Sequence, residues 1–175
     1  MTEAAGASVH ASAVRIGDRA VLIRGPSGAG KSRLAFDLIL AGRAGQIAPA
    51  VLIGDDRLQL HASQGRLFVR PVRELAGLIE IRGLGIRRCE FAAEAIAGLV
   101  VDLSAADAER LPPAKALLTN IQGVMIPRIP VGAGHAPLPM VVAALTMTAI
   151  SSSAQLSPDC PKGIGNHISP TIATE

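Results

Sequence analysis

The segment Gly25–Ser32 constrains this chain most, because it matches the phosphate-loop pattern G-x-x-x-x-G-K-[ST] at every position. Its flanks also fit the pattern. The apolar run Arg19–Ile23 predicts a buried strand before the loop, and the apolar periodicity of Ser32–Ala41 predicts an amphipathic helix after it. The loop residues are Gly25, Pro26, Ser27, Gly28, Ala29, Gly30, Lys31 and Ser32.

A strand, a glycine-rich turn and a helix start together form the arrangement that binds a nucleotide phosphate. The glycines let several backbone N–H groups point at one phosphate, and the helix N-terminus adds its positive end. Lys31 supplies a mobile charge for the β- and γ-phosphates, and the Ser32 hydroxyl can ligate Mg²⁺. The segment therefore predicts a site for ATP with Mg²⁺. The alternative, an ordinary glycine turn with a chance lysine, is disfavoured because motif and context agree.

Composition excludes several other classes of function. At 175 residues with 49% hydrophobic content, the chain can bury the core of one domain. Aromatic residues make up only 2%, with no Trp or Tyr, which argues against base-stacking platforms for single-stranded nucleic acid. The net charge of +3 comes from scattered arginines and suits phosphate ligands. No nucleic-acid partner is predicted.

The chain termini and the cysteines predict a cytoplasmic protein without a membrane partner. Residues 1–8 lack the basic start and apolar run of a signal peptide. The apolar stretch 139–150 is too short to cross a bilayer. Cys89 and Cys160 fit no metal-ligand spacing, so we expect free thiols in a reducing compartment.

The hydrophobic pattern predicts a strand-rich α/β fold with a C-terminal helix. We expect a flexible N-terminus over 1–8, a catalytic domain over 9–150 and a disordered tail over 151–175, where Ser, Pro and Gly dominate without periodicity. A loop is expected at 105–115. The expected strands are 9–16, 19–23, 51–53, 58–61, 67–69, 78–81, 99–103, 124–126 and 129–131, and the expected helices are 32–41, 91–98 and a buried one at 138–150.

Two acidic residues, Asp55 and Asp56, follow the predicted buried strand Val51–Ile53. Ligand-facing residues concentrate at the carboxyl ends of strands in α/β sheets. One carboxylate can face a metal or the transferring phosphoryl group while the other faces away. The alternative is a strand-end turn with two solvated aspartates.

A further carboxylate, Glu80, lies within an apolar run and is followed two residues later by Arg82. Residues two apart in a strand share a face. The two side chains could form a structural ion pair, or they could together address Mg²⁺ and phosphate. The sequence leaves both interpretations open.

Four segments in this order resemble the C-terminal catalytic domain of the HPr kinase/phosphorylase family. They are Val9–Ala11, Gly25–Ser32, Ile53–Asp56 and Ile79–Ile86, and the last, Ile-Glu-Ile-Arg-Gly-Leu-Gly-Ile, is the most specific. The resemblance implies a P-loop core akin to phosphoenolpyruvate carboxykinase. It also implies an ATP-dependent kinase for a serine of the phosphocarrier HPr, with phosphorolysis as the reverse activity. Homo-oligomers are a further implication, because full-length members form hexamers.

The resemblance also implies roles for individual residues. Asp55 matches the general base that deprotonates the acceptor serine, and His10 matches a histidine beside it. Asp56 matches the second member of the acidic pair. Glu80 matches a Mg²⁺-associated carboxylate and Arg82 an active-site arginine. The phosphate loop keeps its nucleotide role, and Ser32 its role as metal ligand.

Some segments depart from the family pattern. The chain resembles the short form of α-proteobacteria, since His10 is almost at its start. Glu109–Pro112 matches the family's Asp-Arg-Leu-Gly only in part, and Gly132–His135 replaces its Pro-Gly-Arg-Asn. The absence of Pro-Gly-Arg-Asn predicts weak phosphorolysis. Arg128 is a candidate to supply the positive charge that this segment would have carried.

Two other functions are compatible with a phosphate loop. A P-loop small-molecule kinase would need a lid with arginines over the phosphates, and 105–115 offers only Arg110. A nucleotide-binding regulatory module without catalysis would need no base, whereas this chain has both Asp55 and Glu80.

Overall fold

A computed structural model describes residues 8–148, and over this range the chain forms eleven strands and two α-helices. Two short 3-10 turns, Arg73–Leu75 and Ala114–Leu117, lie between them. The strands are β1 Ser8–His10, β2 Ser12–Ile16, β3 Arg19–Arg24, β4 Ala50–Gly54, β5 Arg57–Ser63, β6 Arg66–Pro71, β7 Leu78–Ile81, β8 Gly85–Arg88, β9 Ala95–Leu103, β10 Leu118–Ile121 and β11 Val124–Val131, and the helices are α1 Lys31–Arg43 and α2 Pro137–Thr146.

Nine strands form one sheet that is organised around β9. The main order is β1-β5-β6-β9-β3-β2-β4, and β11 also pairs with β9 while β10 pairs with β11. Strand β9 runs parallel to β3 and β11 and antiparallel to β6. The carboxyl ends of β3 and β9 therefore meet at one edge of the sheet, and the phosphate loop leaves β3 at that edge.

An aliphatic core lies on each face of this sheet. On one face, Leu34 and Leu38 of α1 pack with Ile23 and are fully buried. On the other face, Leu58 of β5 and Leu67 of β6 pack against small buried residues of β2, β3 and β9. This confirms the expected strand-rich α/β fold, whose core needs no aromatic side chains.

The segments around the phosphate loop form as the sequence predicted. Helix α1 includes the expected 32–41, and the turns at Gly17 and Gly65 close the two expected hairpins. The expected strand over 9–16 is divided at Ala11, whose N–H donates to the Asp56 carbonyl at 3.2 Å. That division directs His10 towards the end of β4.

The expected helix over 91–98 is wrong. The Ala92 N–H donates to the Leu52 carbonyl at 2.7 Å, and β9 already begins at Ala95. Hydrogen bonding along both edges of β9 outweighs the helix propensity of an alanine-rich segment. Gly98 is required in this strand, because an added Cβ would lie 2.9 Å from the Cβ of Arg19.

The C-terminal elements also differ from expectation. The two strands expected at 124–126 and 129–131 are one strand, β11, which accommodates Pro127 and Pro130. The C-terminal helix exists, but Val141 alone of its ten residues is buried, so the expectation of a buried helix is wrong. Met140 and Leu145 are exposed, because only one side of α2 packs on α1 and β11. Within residues 8–148, no helix has the length and apolarity needed to span a membrane.

Several expectations fall outside the described residues. These are the flexible N-terminus apart from Ser8, the last two residues of the expected C-terminal helix, Cys160 and the tail over 151–175. Ser8 itself begins β1 and pairs with Gln59 of β5.

Strands β7 and β8 form a separate two-stranded ribbon, and the sequence pattern revealed only β7. Gly83 and Gly85 have φ values of +87° and +78°, which close the tight turn between the strands. Ile79 is buried against the core on the α1 side of the sheet, so the ribbon is anchored through β7.

Candidate active site

The phosphate loop is held in its shape by glycines with positive φ. Gly25, Gly28 and Gly30 have φ values of +149°, +78° and +97°. At Gly25 an added Cβ would lie 3.0 Å from both the Cβ and the carbonyl oxygen of Leu103. The loop therefore begins in close contact with the carboxyl end of β9, where only glycine fits.

The N-terminus of α1 is an uncapped end that suits an anion. Its N-cap residue is Gly30, no side chain caps the first turn, and that turn contains no acidic residue. The first N–H groups of a helix need outside partners, and the helix dipole favours negative charge there. These features fit a nucleotide phosphate.

Lys31 lies at the base of the loop with 6% of its surface exposed. Its ammonium donates to the carbonyls of Gly25 and Pro26 at 3.1 and 3.0 Å. The charge is thus held beneath the loop, within reach of a phosphate bound above it.

Asp55 is buried next to the phosphate loop, with 5% of its surface exposed. Its Oδ1 accepts hydrogen bonds from the hydroxyls of Ser12 at 2.5 Å and Ser32 at 2.9 Å. Its Oδ2 accepts from the backbone N–H of Glu80 at 3.1 Å. This carboxylate therefore joins strand β2, the phosphate loop and strand β7. Ser12 carries no signal of this role in the sequence, because it is a single serine among small residues in a buried strand.

Asp56 faces the opposite way. Its side chain is 65% exposed, and its Oδ1 lies 3.2 Å from Nε2 of His10. Its φ of +70° turns the chain sharply after the buried Asp55. An open cavity of about 460 Å³ adjoins the pair, lined by Ser8, Val9, His10, Asp56 and Arg57.

The structure thus separates the two aspartates by environment. Hydrogen-bond donors of the protein surround the Asp55 carboxylate. One of them is the Ser32 hydroxyl, which the sequence predicts as a metal ligand. Asp56 presents an oxygen to an open cavity, where a group from another molecule can reach it. Solvent therefore reaches the Asp56 carboxylate, whereas the Asp55 carboxylate is buried.

Glu80 and Arg82 do not form the structural ion pair that the sequence allowed. Both are exposed, and within residues 8–148 neither side chain forms an ion pair. Only the backbone N–H of Glu80 reaches the acidic pair. The Glu80 carboxylate is exposed to solvent.

The protein donors for Mg²⁺ at this site are few. Among the described residues, no three His, Cys, Asp or Glu side chains are arranged around a common metal position. Mg²⁺ commonly keeps several waters and uses one or two protein ligands together with substrate phosphates. Ser32, hydrogen-bonded to Asp55, and the free Glu80 carboxylate fit that mode.

A network of ion pairs, which the sequence did not reveal, lies beside the start of the loop. Arg24 donates twice to Asp102, with both distances 2.7 Å, and Arg128 donates to the same carboxylate at 2.5 Å. Arg128 also forms a two-bonded pair with Asp107 at 2.7 and 2.9 Å. The network links β3, β9, β11 and the 104–117 connection.

The pKa values of this network follow from its geometry. Burial acts to raise the pKa of Asp102, but the hydrogen bonds from Arg24 and Arg128 together outweigh burial and hold it below its ordinary value. The hydrogen bond from Arg128 lowers the pKa of Asp107, and the same bond raises the pKa of Arg128. Asp102, Asp107 and Arg128 are therefore charged at neutral pH.

This network also corrects the expectation for Arg128. Its side chain is only 13% exposed, and its guanidinium is bonded to two carboxylates and to the Ala116 carbonyl. Arg128 is thus engaged within the domain and does not supply a free positive charge.

Cys89 is a free thiol, as expected. Burial raises the pKa of this thiol, which disfavours the reactive thiolate. It plays no part in the site described above.

Comparison with known proteins agrees with this geometry. Residues 2–157 match the family described as HPr Serine kinase C-terminal domain. The chain belongs to that family. The resemblance inferred from its four motifs is confirmed.

Similar proteins carry the same family name. The chain is 41% identical over 80 residues to the HPr kinase/phosphorylase of Streptococcus thermophilus, covering 45% of this chain and 24% of that protein. It is 41% identical over 70 residues to the Mycoplasma genitalium protein of the same name, covering 40% and 20%. The chain thus matches about a quarter of the length of these relatives.

The fold has a counterpart among solved structures. The HPr(Ser) kinase/phosphatase from Coxiella burnetii superposes with a TM-score of 0.62 at 25% identity. The match covers 79% of this chain and 93% of that one. The strand-rich arrangement of this domain is therefore the fold of that kinase/phosphatase.

Proposed function

We propose that this protein is an ATP-dependent protein-serine kinase that phosphorylates HPr or a related phosphocarrier protein in the cytoplasm. The observation that carries the proposal is the pair of adjacent aspartates beside the phosphate loop. Asp55 is bonded to Ser32, and Asp56 faces an open cavity with His10. A protein that only bound a nucleotide would need no exposed carboxylate in that position.

The phosphate loop binds and orients the nucleotide in this proposal. Loop N–H groups and the N-terminus of α1 bind the β- and γ-phosphates, and Lys31 balances the charge that develops on the transferring group. A bound magnesium ion would supply positive charge that offsets part of the phosphate charge. Ser32 and Glu80 would hold the metal, and Asp55 would orient the Ser32 hydroxyl.

We assign the general base differently from the sequence expectation. The incoming serine oxygen forms a bond to the γ-phosphorus as the bond to the ADP oxygen breaks, and the serine proton must pass to a base. Asp56 has an exposed oxygen for that proton, whereas both oxygens of Asp55 already accept hydrogen bonds. His10 orients the Asp56 carboxylate from 3.2 Å. We further propose that Arg82, exposed in the turn after β7, contacts the phosphoryl group or the acceptor.

The reverse reaction is phosphorolysis of seryl-phosphorylated HPr. An oxygen of inorganic phosphate attacks the phosphoserine phosphorus as the bond to the serine oxygen breaks, and pyrophosphate forms. The proton that the attacking phosphate loses passes through Asp56 to the serine oxygen. We propose that this chain performs the reverse reaction poorly. Gly132–His135 replaces the family's Pro-Gly-Arg-Asn, and Arg128 is bound to two carboxylates.

The proposed function is tested by incubating the protein with γ-labelled ATP, Mg²⁺ and HPr. Label on a serine of HPr is the expected result, and HPr with that serine replaced by alanine is the control. ATP binding without transfer to HPr would indicate a regulatory nucleotide-binding module. Transfer to a small molecule instead of HPr would indicate a P-loop small-molecule kinase. Either outcome would overturn the proposal.

A further inference from the structure

The ribbon formed by β7 and β8 presents apolar side chains to solvent beside the active site. Leu84 is 61% exposed and Ile86 is 67% exposed. An added Cβ at Gly83 or Gly85 would meet no atom within 4 Å, so the turn of the ribbon projects away from the rest of the domain. Exposed apolar groups that are close together commonly mark a site of protein interaction.

The ribbon is also positively charged. Residues 78–88 contain three arginines and one acidic residue, Glu80. Arg82, Arg87 and Arg88 are exposed, and within residues 8–148 none of them forms an ion pair. Arg87 donates only to the Ile86 carbonyl, a local bond that leaves its charge uncompensated. An apolar centre with a charged rim is the usual anatomy of a protein interface.

The position of the ribbon indicates what binds to it. Glu80 lies directly opposite Ile86 in the β7–β8 register, and the Glu80 N–H donates to Asp55. Opposite residues in antiparallel strands lie about 5 Å apart. Asp55 in turn accepts a hydrogen bond from Ser32 of the phosphate loop, so a protein that reaches the loop beside Asp55 lies close to Ile86.

We propose that this ribbon, Leu84 and Ile86 with Arg87 and Arg88, is the docking surface for the phosphoacceptor protein. This inference rests on the proposed function. The occupant is a folded protein with an apolar patch beside its acceptor serine and acidic groups around that patch. The apolar centre holds the acceptor, and the arginines select for acidic surroundings. A second copy of this chain is the alternative occupant that the experiment excludes.

The test measures direct binding of HPr as well as its phosphorylation. The variants are the double change Leu84→Ser with Ile86→Ser, and the double change Arg87→Glu with Arg88→Glu. Matched controls are Met125→Ser on the β10–β11 hairpin, where the side chain is 57% exposed, and Arg66→Glu at the start of β6. Far-ultraviolet circular dichroism and the melting temperature establish that each variant is folded.

We expect each ribbon variant to raise both the Kd and the KM for HPr roughly tenfold, as for central interface residues. The KM for ATP should be unchanged, and the controls should behave as wild type. Added salt should weaken HPr binding to the wild type more than to the Arg87→Glu and Arg88→Glu double variant, because screening acts on the charges that the variant has reversed.

The outcomes separate this inference from the proposed function. If wild type binds HPr but transfers no phosphate, the proposed function fails while loss of binding in the ribbon variants still supports docking. If the ribbon variants bind HPr as tightly as wild type, docking is overturned whatever the kinase rate. Failure of the wild type to bind HPr overturns both. Sedimentation velocity measures whether the protein self-associates. If the Leu84→Ser, Ile86→Ser variant no longer forms an oligomer but still binds HPr, the ribbon contacts a second copy of this chain. That result would overturn the inference.

Discussion

Ser32 donates its hydroxyl hydrogen bond to Oδ1 of Asp55 at 2.9 Å, which connects the phosphate loop to the end of strand β4. The same oxygen accepts from Ser12 at 2.5 Å, so neither partner of this bond can move independently of strand β2. A carboxylate held in this way orients the Ser32 hydroxyl, which we propose as a metal ligand. The neighbouring Asp56 adjoins an open cavity, and we propose that it faces the acceptor.

Asn substitutions of the two aspartates should have different effects. Asp56→Asn removes the proton acceptor and should reduce turnover roughly 10²- to 10⁴-fold, the usual contribution of a general base. Its affinity for Mg-ATP should stay close to wild type, because Lys31, Ser32 and the loop amides are unchanged. Nucleotide titration and HPr phosphorylation measure the two effects separately.

Asp55→Asn, in contrast, should weaken Mg-ATP binding and lower the melting temperature, since it disturbs three hydrogen bonds in a buried position. Should Asp55→Asn bind Mg-ATP normally while losing only phosphoryl transfer, the original assignment of Asp55 as base would be correct.

Lys31→Ala should abolish activity and weaken ATP binding. The loss of a cation aimed at the developing phosphoryl charge corresponds to about 10³-fold in rate. Arg33→Ala is the control, because this side chain lies in the same helical turn, is 80% exposed and pairs only with Asp37. Isothermal titration with ATP and a steady-state rate are the measurements. Near-normal turnover by Lys31→Ala would refute the role of the loop.

Acid should destabilise the protein partly through Asp102. The pKa of this carboxyl is lower in the folded chain than its ordinary value, so its contribution to stability is complete above about pH 4 to 5 and is lost as pH falls through the folded pKa. The free energy of unfolding should therefore drop more steeply with acidification in wild type than in Asp102→Asn. Denaturant titrations at a series of pH values test this, with Asp18→Asn as an exposed control. Equal slopes for wild type and Asp102→Asn would contradict it.

Phosphorolysis should be slow relative to kinase action. Seryl-phosphorylated HPr is incubated with inorganic phosphate, and pyrophosphate release is compared with the forward rate under matched conditions. Arg128→Lys should not increase phosphorolysis, because Arg128 is engaged with Asp102 and Asp107. Release of pyrophosphate as fast as forward transfer would refute the expectation drawn from Gly132–His135.

Removal of residues 151–175 should change the melting temperature and the kinase rate little, because this segment has no apolar periodicity with which to bury surface. Differential scanning calorimetry of the shortened chain measures the effect. A fall of many degrees would mean that the segment covers the apolar groups that α2 exposes, such as Met140 and Leu145.

The sequence alone determined the phosphate loop, because its glycines, Lys31 and Ser32 form one pattern within eight consecutive residues. It also determined the strands and hairpins around that loop, whose periodicity and turn residues are local. The family followed from four short motifs in a fixed order.

Only the tertiary structure decided what depends on pairing between distant segments. The segment 91–98 is not a helix, because β-sheet hydrogen bonds available only in the folded chain outweigh its alanine content. Arg128 is not free, because Asp102 and Asp107 converge on it from other elements. The two aspartates are adjacent in sequence, yet the partners that distinguish them, Ser12, Ser32 and His10, come from other segments. Their environments therefore arise only when β1, β2 and the phosphate loop meet at the end of β4.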